Sequence, residues 1–222
     1  MRDQKRLICP GCAEDLKKIE APYCMKCGRP VRKEEEYCRD CADERHIFTE
    51  GRGIFLYDDR MKESLVKYKY YGHREYGDFY AAALCHYAKR EILRWKPDVI
   101  APIPLHRRKQ KQRGFNQAEY IAEGVGRFYG IPVSAGLIRK IKPARSQKKL
   151  NVIERRRNLK GAFAVSGELN GIDILLIDDV YTTGSTMDAA AECLKKKGAG
   201  EIYFLTVCIG QNQGGTDKKC FS

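Results

Sequence analysis

Between residues 52 and 209, apolar runs alternate with stretches whose apolar positions recur every three or four residues. The runs 53–57 (GIFLY), 98–105 (DVIAPIPL), 136–141 (GLIRKI), 172–179 (IDILLIDD) and 201–209 (EIYFLTVCI) predict strands. Residues 172–179 are apolar enough to be buried on both faces, as central parallel strands are. Pro102 and Pro104 should end the second run, since proline cannot continue a sheet interior. Helices are expected at 61–70, 78–95, 116–129 and 185–197, with Pro97 closing the second. In the third, Phe115, Ala118, Ile121, Ala122, Val125 and Phe128 share one face, and Gly130 and Pro132 end it. In the fourth, Met187, Ala190, Ala191 and Leu194 share a face. Lys195 to Lys197 complement the helix dipole in its last turn, and Gly198 stops it. Strands alternating with helices imply an α/β fold with a parallel sheet.

Residues 1–47 break this pattern. Three Cys-x-x-Cys pairs, at 9–12, 24–27 and 38–41, recur at 14- or 15-residue intervals. Zinc takes four ligands in a tetrahedron, and two such knuckles supply them. Cys24, Cys27, Cys38 and Cys41 are the preferred set. Cys9 and Cys12 are a spare pair or an alternative half-site. Gly28 permits the turn past the second knuckle. With every position filled, such a zinc is structural. A redox dithiol would show one such pair in a thioredoxin-like setting, not three in tandem. The expected organisation is a cysteine-rich module at 1–47 and an α/β domain at 48–222, with 210–222 as a flexible tail.

Composition narrows the class. A chain of 222 residues with 43% hydrophobic residues can bury a core. Nothing resembles a signal peptide or a membrane span, so a cytoplasmic protein without membrane insertion is expected. The net charge of +13 is concentrated. Residues 106–113 carry five Lys or Arg and no acid, and residues 139–160 carry ten against Glu154 alone. Localised charge of this kind points to an anionic partner, either a phosphorylated small molecule or nucleic acid.

The candidate chemistry lies in 174–186, ILLIDDVYTTGST. Ligands of open parallel sheets bind beyond the carboxyl ends of the strands, where Asp178 and Asp179 fall. Thr182, Thr183, Gly184, Ser185 and Thr186 then lead into a helix. Backbone N–H groups at a helix start, with hydroxyls and a glycine beside them, form an anion cradle. The two carboxylates can accept hydrogen bonds from a ribose diol or face Mg2+. The simpler alternative is a strand end followed by Ser185 as a plain helix cap.

This stretch resembles the phosphoribosyl-pyrophosphate motif of type I phosphoribosyltransferases. Together with 101–122 (APIPLHRRKQKQRGFNQAEYIA), 158–163 (NLKGAF) and the cysteine-rich segment, it is similar to the ComF family of competence-associated proteins, including the GntX-type proteins. The resemblance implies a type I phosphoribosyltransferase-like parallel sheet with flanking helices, preceded by a small zinc ribbon. It implies Asp178 and Asp179 on the ribose hydroxyls, and Val180 with Thr182 to Thr186 around the 5-phosphate. Pro102, Ile103, Pro104 and Leu105 would form the pyrophosphate loop, with Arg107, Arg108 and Lys109 neutralising charge. Arg113 to Gln117 match the family's RGFNQ, a motif to which the residues alone assign no role. Members of the family often carry four Cys-x-x-Cys pairs, and the first is absent here.

Two functions follow. One is a binding protein for phosphoribosyl pyrophosphate with Mg2+ and for single-stranded DNA, acting in natural transformation with a DNA-uptake helicase or channel component. Arg113, Lys148, Lys149, Arg155, Arg156 and Arg157 would then meet DNA, with Tyr68, Tyr70, Tyr71 and Phe115 as possible stacking groups, the tyrosines being equally compatible with a place in the core. The other is an active phosphoribosyltransferase, with Asp178 and Asp179 catalytic and an unidentified acceptor base.

Overall fold

A computed structural model of the protein describes residues 7–71, 73–142, 159 and 161–210. The expected tail beyond 210 and the basic positions Lys148, Lys149, Arg155, Arg156 and Arg157 lie outside the described residues. Two short helices, α1 (Pro10–Glu14) and α2 (Arg39–Asp43), belong to the cysteine-rich segment. There follow β1 (Glu50–Leu56), α3 (Asp59–Tyr70), α4 (Glu75–Tyr87), α5 (Lys89–Trp95), β2 (Val99–Pro102), α6 (Arg107–Arg113) and α7 (Gln117–Tyr129). The chain continues with β3 (Ile138–Lys140), β4 (Phe163–Val165), β5 (Ile174–Tyr181), α8 (Ser185–Lys195) and β6 (Ile202–Ile209).

The main sheet has the order β1-β6-β5-β2, with every pair parallel. Ile174 to Ile177 are fully buried, as a central strand requires. Ile174 and Leu176 face one core, Leu175 and Ile177 the other. The first core takes in α8 and the cysteine-rich segment, including Cys24, Cys27 and Cys38. The second is filled from α3, α4, α5 and α7. Arg52, 5% exposed, ties the cysteine-rich segment to the sheet. Its guanidinium donates to the carbonyls of Ile19 (2.8 Å) and Gly28 (3.3 Å) and lies 3.6 Å from the Tyr23 ring centroid. Tyr23 in turn donates to Glu91 of α5 at 2.7 Å.

Three expectations need correction. The run 136–141 does not join the main sheet: β3 pairs antiparallel with β4 in a separate ribbon, Ile138 opposite Val165 and Lys140 opposite Phe163. The helix expected at 78–95 divides at Ala88, whose φ of −104° and ψ of 17° bend the axis. The bend keeps Leu84, Ile92 and Trp95 all on the second core. Pro102 is the last residue of β2, so the second run ends where expected. It sits on an edge strand in register with Ile177, and the next amide, Ile103 N–H, still reaches the Ile177 carbonyl at 2.8 Å. Phe128 leaves the apolar face of α7 and is 69% exposed, since the last turn overhangs the core. Tyr129 takes the inward place and donates to the Cys85 carbonyl at 2.6 Å.

Candidate functional site

The carboxyl edge of β5 brings the two acids beside the hydroxyl-rich loop. Asp178 Oδ1 accepts the Asp179 N–H at 2.8 Å, which fixes one carboxylate against the strand backbone. Burial, with the Asp179 charge adding to it, pushes the Asp178 carboxyl up to about 7. Asp179 has its own counter-ion, forming a salt bridge with Lys69 from the last turn of α3. Burial opposes the charge on Lys69, but Asp179 and Asp178 outweigh it and raise its pKa above the ordinary value. Lys140 of β3 is close enough to be attracted by the Asp178 charge. Burial lowers its pKa against that attraction.

The loop after β5 surrounds a small cup of about 20 Å³ lined by Val180 to Met187. Gly184, at φ 76°, is the N-cap of α8, so Ser185 is the first helical residue and not its cap. No side-chain cap hydrogen bond is made at this end among the described residues. Thr183 and Ser185 share a hydroxyl–hydroxyl contact of 2.8 Å beside it. An uncapped helix start leaves N–H groups for an anion, so the plain-cap alternative does not describe this turn. Only glycine suits position 184, because a Cβ there would come within 2.8 Å of the Tyr181 hydroxyl and 2.9 Å of the His46 ring.

The Pro102–Leu105 segment leaves the neighbouring strand at the same edge. Arg107, Arg108 and Lys109 form the first turn of α6, exposed, with no acid among them. Three cations at a helix start oppose the dipole, an arrangement that an anion would relieve. The structure also gives the RGFNQ residues a role. Gly114 (φ 78°) ends α6, and Asn116 caps α7 while donating to the Ile103 carbonyl at 3.2 Å. Arg113 bonds Gln117 (2.8 Å) and the Tyr70 hydroxyl (3.0 Å). The motif thus anchors the Pro102–Leu105 turn to α7.

The stacking residues separate. Tyr68 is fully buried and donates to the Gln117 carbonyl at 2.9 Å, so it belongs to the core and cannot meet a base. Phe115 packs half-buried against it, with centroids 5.5 Å apart. Tyr70 and Tyr71 are exposed.

Among the cysteines, the structure brings Cys24, Cys27, Cys38 and Cys41 together, every Sγ within 4.8 Å of the others. The Cys27–Cys38 sulfur separation is 3.7 Å, and Zn–S bonds near 2.3 Å give a tetrahedral edge of about 3.8 Å. Four soft ligands at that spacing fit a structural zinc. Gly28 turns the chain past the knuckle at φ 75°. Cys9 and Cys12 stand apart and exposed. They line a groove of about 300 Å³ that shares no residue with the cup after β5.

Residues 1–42 match the model of the double zinc ribbon domain, and residues 81–222 that of the phosphoribosyl transferase domain. The chain is 34% identical over 202 residues to competence protein ComFC of Bacillus subtilis, covering 86% of this chain and 79% of that one. The chain belongs to the ComF family. Competence protein F of Haemophilus influenzae is 29% identical over 205 residues, covering 89% and 88% of the two chains. The DNA utilization protein YhgH of Salmonella typhimurium is 26% identical over 208 residues, covering 90% and 89%. The ComF-type chain described here has a parallel sheet with flanking helices and a zinc ribbon in front of it. No helix among its described residues is long and apolar enough to cross a membrane.

Lys69, Lys140, Arg29 and His46 were not singled out in the sequence as site residues. Lys69 lies in a run of lysines and tyrosines (67–71) that reads as an amphipathic helix end. Only the fold brings it to Asp179.

Proposed function

We propose that this ComF-family protein binds phosphoribosyl pyrophosphate, or a similar sugar phosphate, at the carboxyl edge of its sheet, and that it acts in DNA uptake. The observation that carries the reading is the adjacency of Asp178 and Asp179 to an uncapped, glycine-led helix start. Asp178 and Asp179 accept the ribose hydroxyls. Thr182 to Thr186 take the 5-phosphate through backbone N–H groups and hydroxyls. The turn from Pro102 to Leu105 takes the pyrophosphate, and Arg107, Arg108 and Lys109 offset its charge. The paired carboxylates fit Mg2+: both are oxygen donors, adjacent on one strand end. Bound there with the substrate, Mg2+ would supply charge neutralisation for the pyrophosphate. The salt bridge from Lys69 holds the Asp179 carboxylate in place.

The DNA role is supported by the names of the relatives and by the concentrated basic charge. Arg113 and the exposed Tyr70 lie at the same edge as the pocket, with the guanidinium 4.9 Å from the ring centroid. Single-stranded DNA affinity should fall steeply with salt and weaken in charge reversals of Arg155, Arg156 and Arg157. The test of the pocket is calorimetric titration of phosphoribosyl pyrophosphate with Mg2+, alone and with single-stranded DNA. Saturable heat supports the reading, and no binding in either condition refutes it.

A transferase is the second reading, favoured by one observation. A carboxyl titrating at about 7 can exchange a proton near neutral pH, as a general acid or base must. Pyrophosphate release with a nucleobase, abolished by Asp178→Ala with Asp179→Ala, would establish it.

A further inference from the structure

The loop read as a phosphate site is gripped from outside its own sheet. Arg29, 6% exposed, follows the Cys24–Cys27 knuckle and donates through Nη2 to the Thr182 carbonyl at 2.5 Å. Its Nη1 donates to Asp40 Oδ2 at 2.7 Å. Asp40 lies between Cys38 and Cys41 in α2, so Arg29 and the carboxylate that aims its guanidinium are both rooted in the four-cysteine cluster. The knuckle is closed by the Cys24 N–H on the Arg29 carbonyl at 2.7 Å. A second grip comes from His46, whose ring packs on Gly184 and whose Nδ1 lies 2.8 Å from Asp188 Oδ2 in the first turn of α8. The Ile47 N–H reaches Asp188 Oδ1 at 2.9 Å. His46 also stacks on Phe48 at 4.7 Å, which presses the ring into the core.

The Arg29 contact sets a direction as well as a position. The Thr182–Thr183 peptide is trans, so its carbonyl and the Thr183 N–H lie in one plane and point in opposite directions. Holding the Thr182 carbonyl toward the cysteine cluster therefore turns the Thr183 N–H away from it, among the donors expected to meet a phosphate. Without Arg29 this peptide has no fixed orientation from that side, and the loop would need to order on binding.

We propose that Arg29 and His46 are positioning residues for the phosphate loop, so that metal occupancy of the four-cysteine cluster and sugar-phosphate binding are thermodynamically linked. The proposal rests on the pocket reading above. The linkage is reciprocal: if the metal-loaded ribbon tightens phosphate binding, bound sugar phosphate must hold the metal more tightly by the same factor. A ribbon that served folding alone would lower the melting temperature when perturbed and would show no such reciprocity.

The test uses the full chain loaded with zinc, comparing the wild type with Arg29→Ala. Arg29→Lys serves as the milder variant, keeping one donor head that cannot reach Asp40 and Thr182 together. Each protein is first checked for zinc content and cooperative melting, and Arg29→Lys carries the test if Arg29→Ala fails that check. Hydrogen exchange of the peptide covering 181–187, which needs no ligand, should be about tenfold faster in the variant, as expected for loss of a charge-assisted bond, with the cysteine peptides unchanged. Affinity for phosphoribosyl pyrophosphate with Mg2+ should fall about tenfold. The same ligand should slow zinc loss to a chelator in the wild type and not in the variant. Unchanged loop exchange together with wild-type affinity in the variant would overturn the proposal while leaving the pocket reading intact. A wild type that binds no phosphoribosyl pyrophosphate would overturn the pocket reading and the linkage together, whereas the exchange result would still decide whether Arg29 orders the loop.

Discussion

Replacing Asp178 by asparagine should make the protein more stable at pH 8 while removing its ligand. An ordinary aspartate titrates near 3.8, and this one at about 7. Each pH unit of displacement corresponds to about 1.4 kcal/mol, so the ionised carboxylate costs the fold at most about 4 kcal/mol. Its rim still reaches solvent, which screens the charge, and about 2 kcal/mol is the expected gain from Asp178→Asn. The sign follows from proton binding. The folded-state value lies above the unfolded one, so between the two the native state holds a proton that the unfolded chain has released. Stability therefore falls as pH rises through that window and levels off above about 7. The advantage of Asp178→Asn should be full at pH 8 and shrink by about half near pH 5.5. Urea denaturation of the zinc-loaded proteins across that range reads it directly. In thermal melts, about 2 kcal/mol corresponds to roughly 4–8 °C for a chain of this size. A variant less stable than the wild type at pH 8, or an offset that ignores pH, would show that burial does not govern this carboxyl. A gain in stability at the expense of binding is what a strained ligand site should show.

Three further outcomes follow from the same geometry. Lys69→Met leaves Asp179 beside Asp178 without its counter-ion, so stability at pH 8 should drop by about 1–3 kcal/mol, measured by urea denaturation. Wild-type stability in that variant would mean the ion pair is idle. Gly184→Ala should cost about 1–3 kcal/mol and weaken sugar-phosphate binding, because the new Cβ meets the Tyr181 hydroxyl and His46 in a left-handed conformation; titration and melting report the two effects separately. Cys27→Ser should lower bound zinc well below one equivalent and reduce the melting temperature, whereas Cys9→Ser should leave the metal content unchanged.

Strong local patterns in the sequence reported the backbone well. Four consecutive apolar residues, Ile174 to Ile177, marked the central strand, and Met187, Ala190, Ala191 and Leu194 marked the buried face of α8, because both signals are set by nearest neighbours. The cysteine spacing likewise pointed to the four residues that meet. What periodicity does not carry is where a neighbouring element ends. Phe128 has the spacing of the buried face, yet it lies exposed while Tyr129 beside it packs inward. Tyr68 looked like a base-stacking group among exposed tyrosines, although its helix turns it into the core. The third apolar run left the sheet because a strand's partner is a property of topology, not of the strand. Lys69 and Arg29 were hidden for a further reason. Lys69 meets an acid more than a hundred residues away, and Arg29 meets a carbonyl 153 residues on, which no window of sequence contains.

The central claim is that a sugar phosphate sits between Asp178, Asp179 and the loop from Thr182 to Thr186. The most direct measurement is a crystal structure of the zinc-loaded protein grown with Mg2+ and phosphoribosyl pyrophosphate. The 5-phosphate should lie on the N–H groups at the start of α8, with the ribose hydroxyls at the two carboxylates and the pyrophosphate toward Arg107 to Lys109. A ligand at saturating concentration found elsewhere, such as the groove beside Cys9 and Cys12, with the loop empty, would contradict the account.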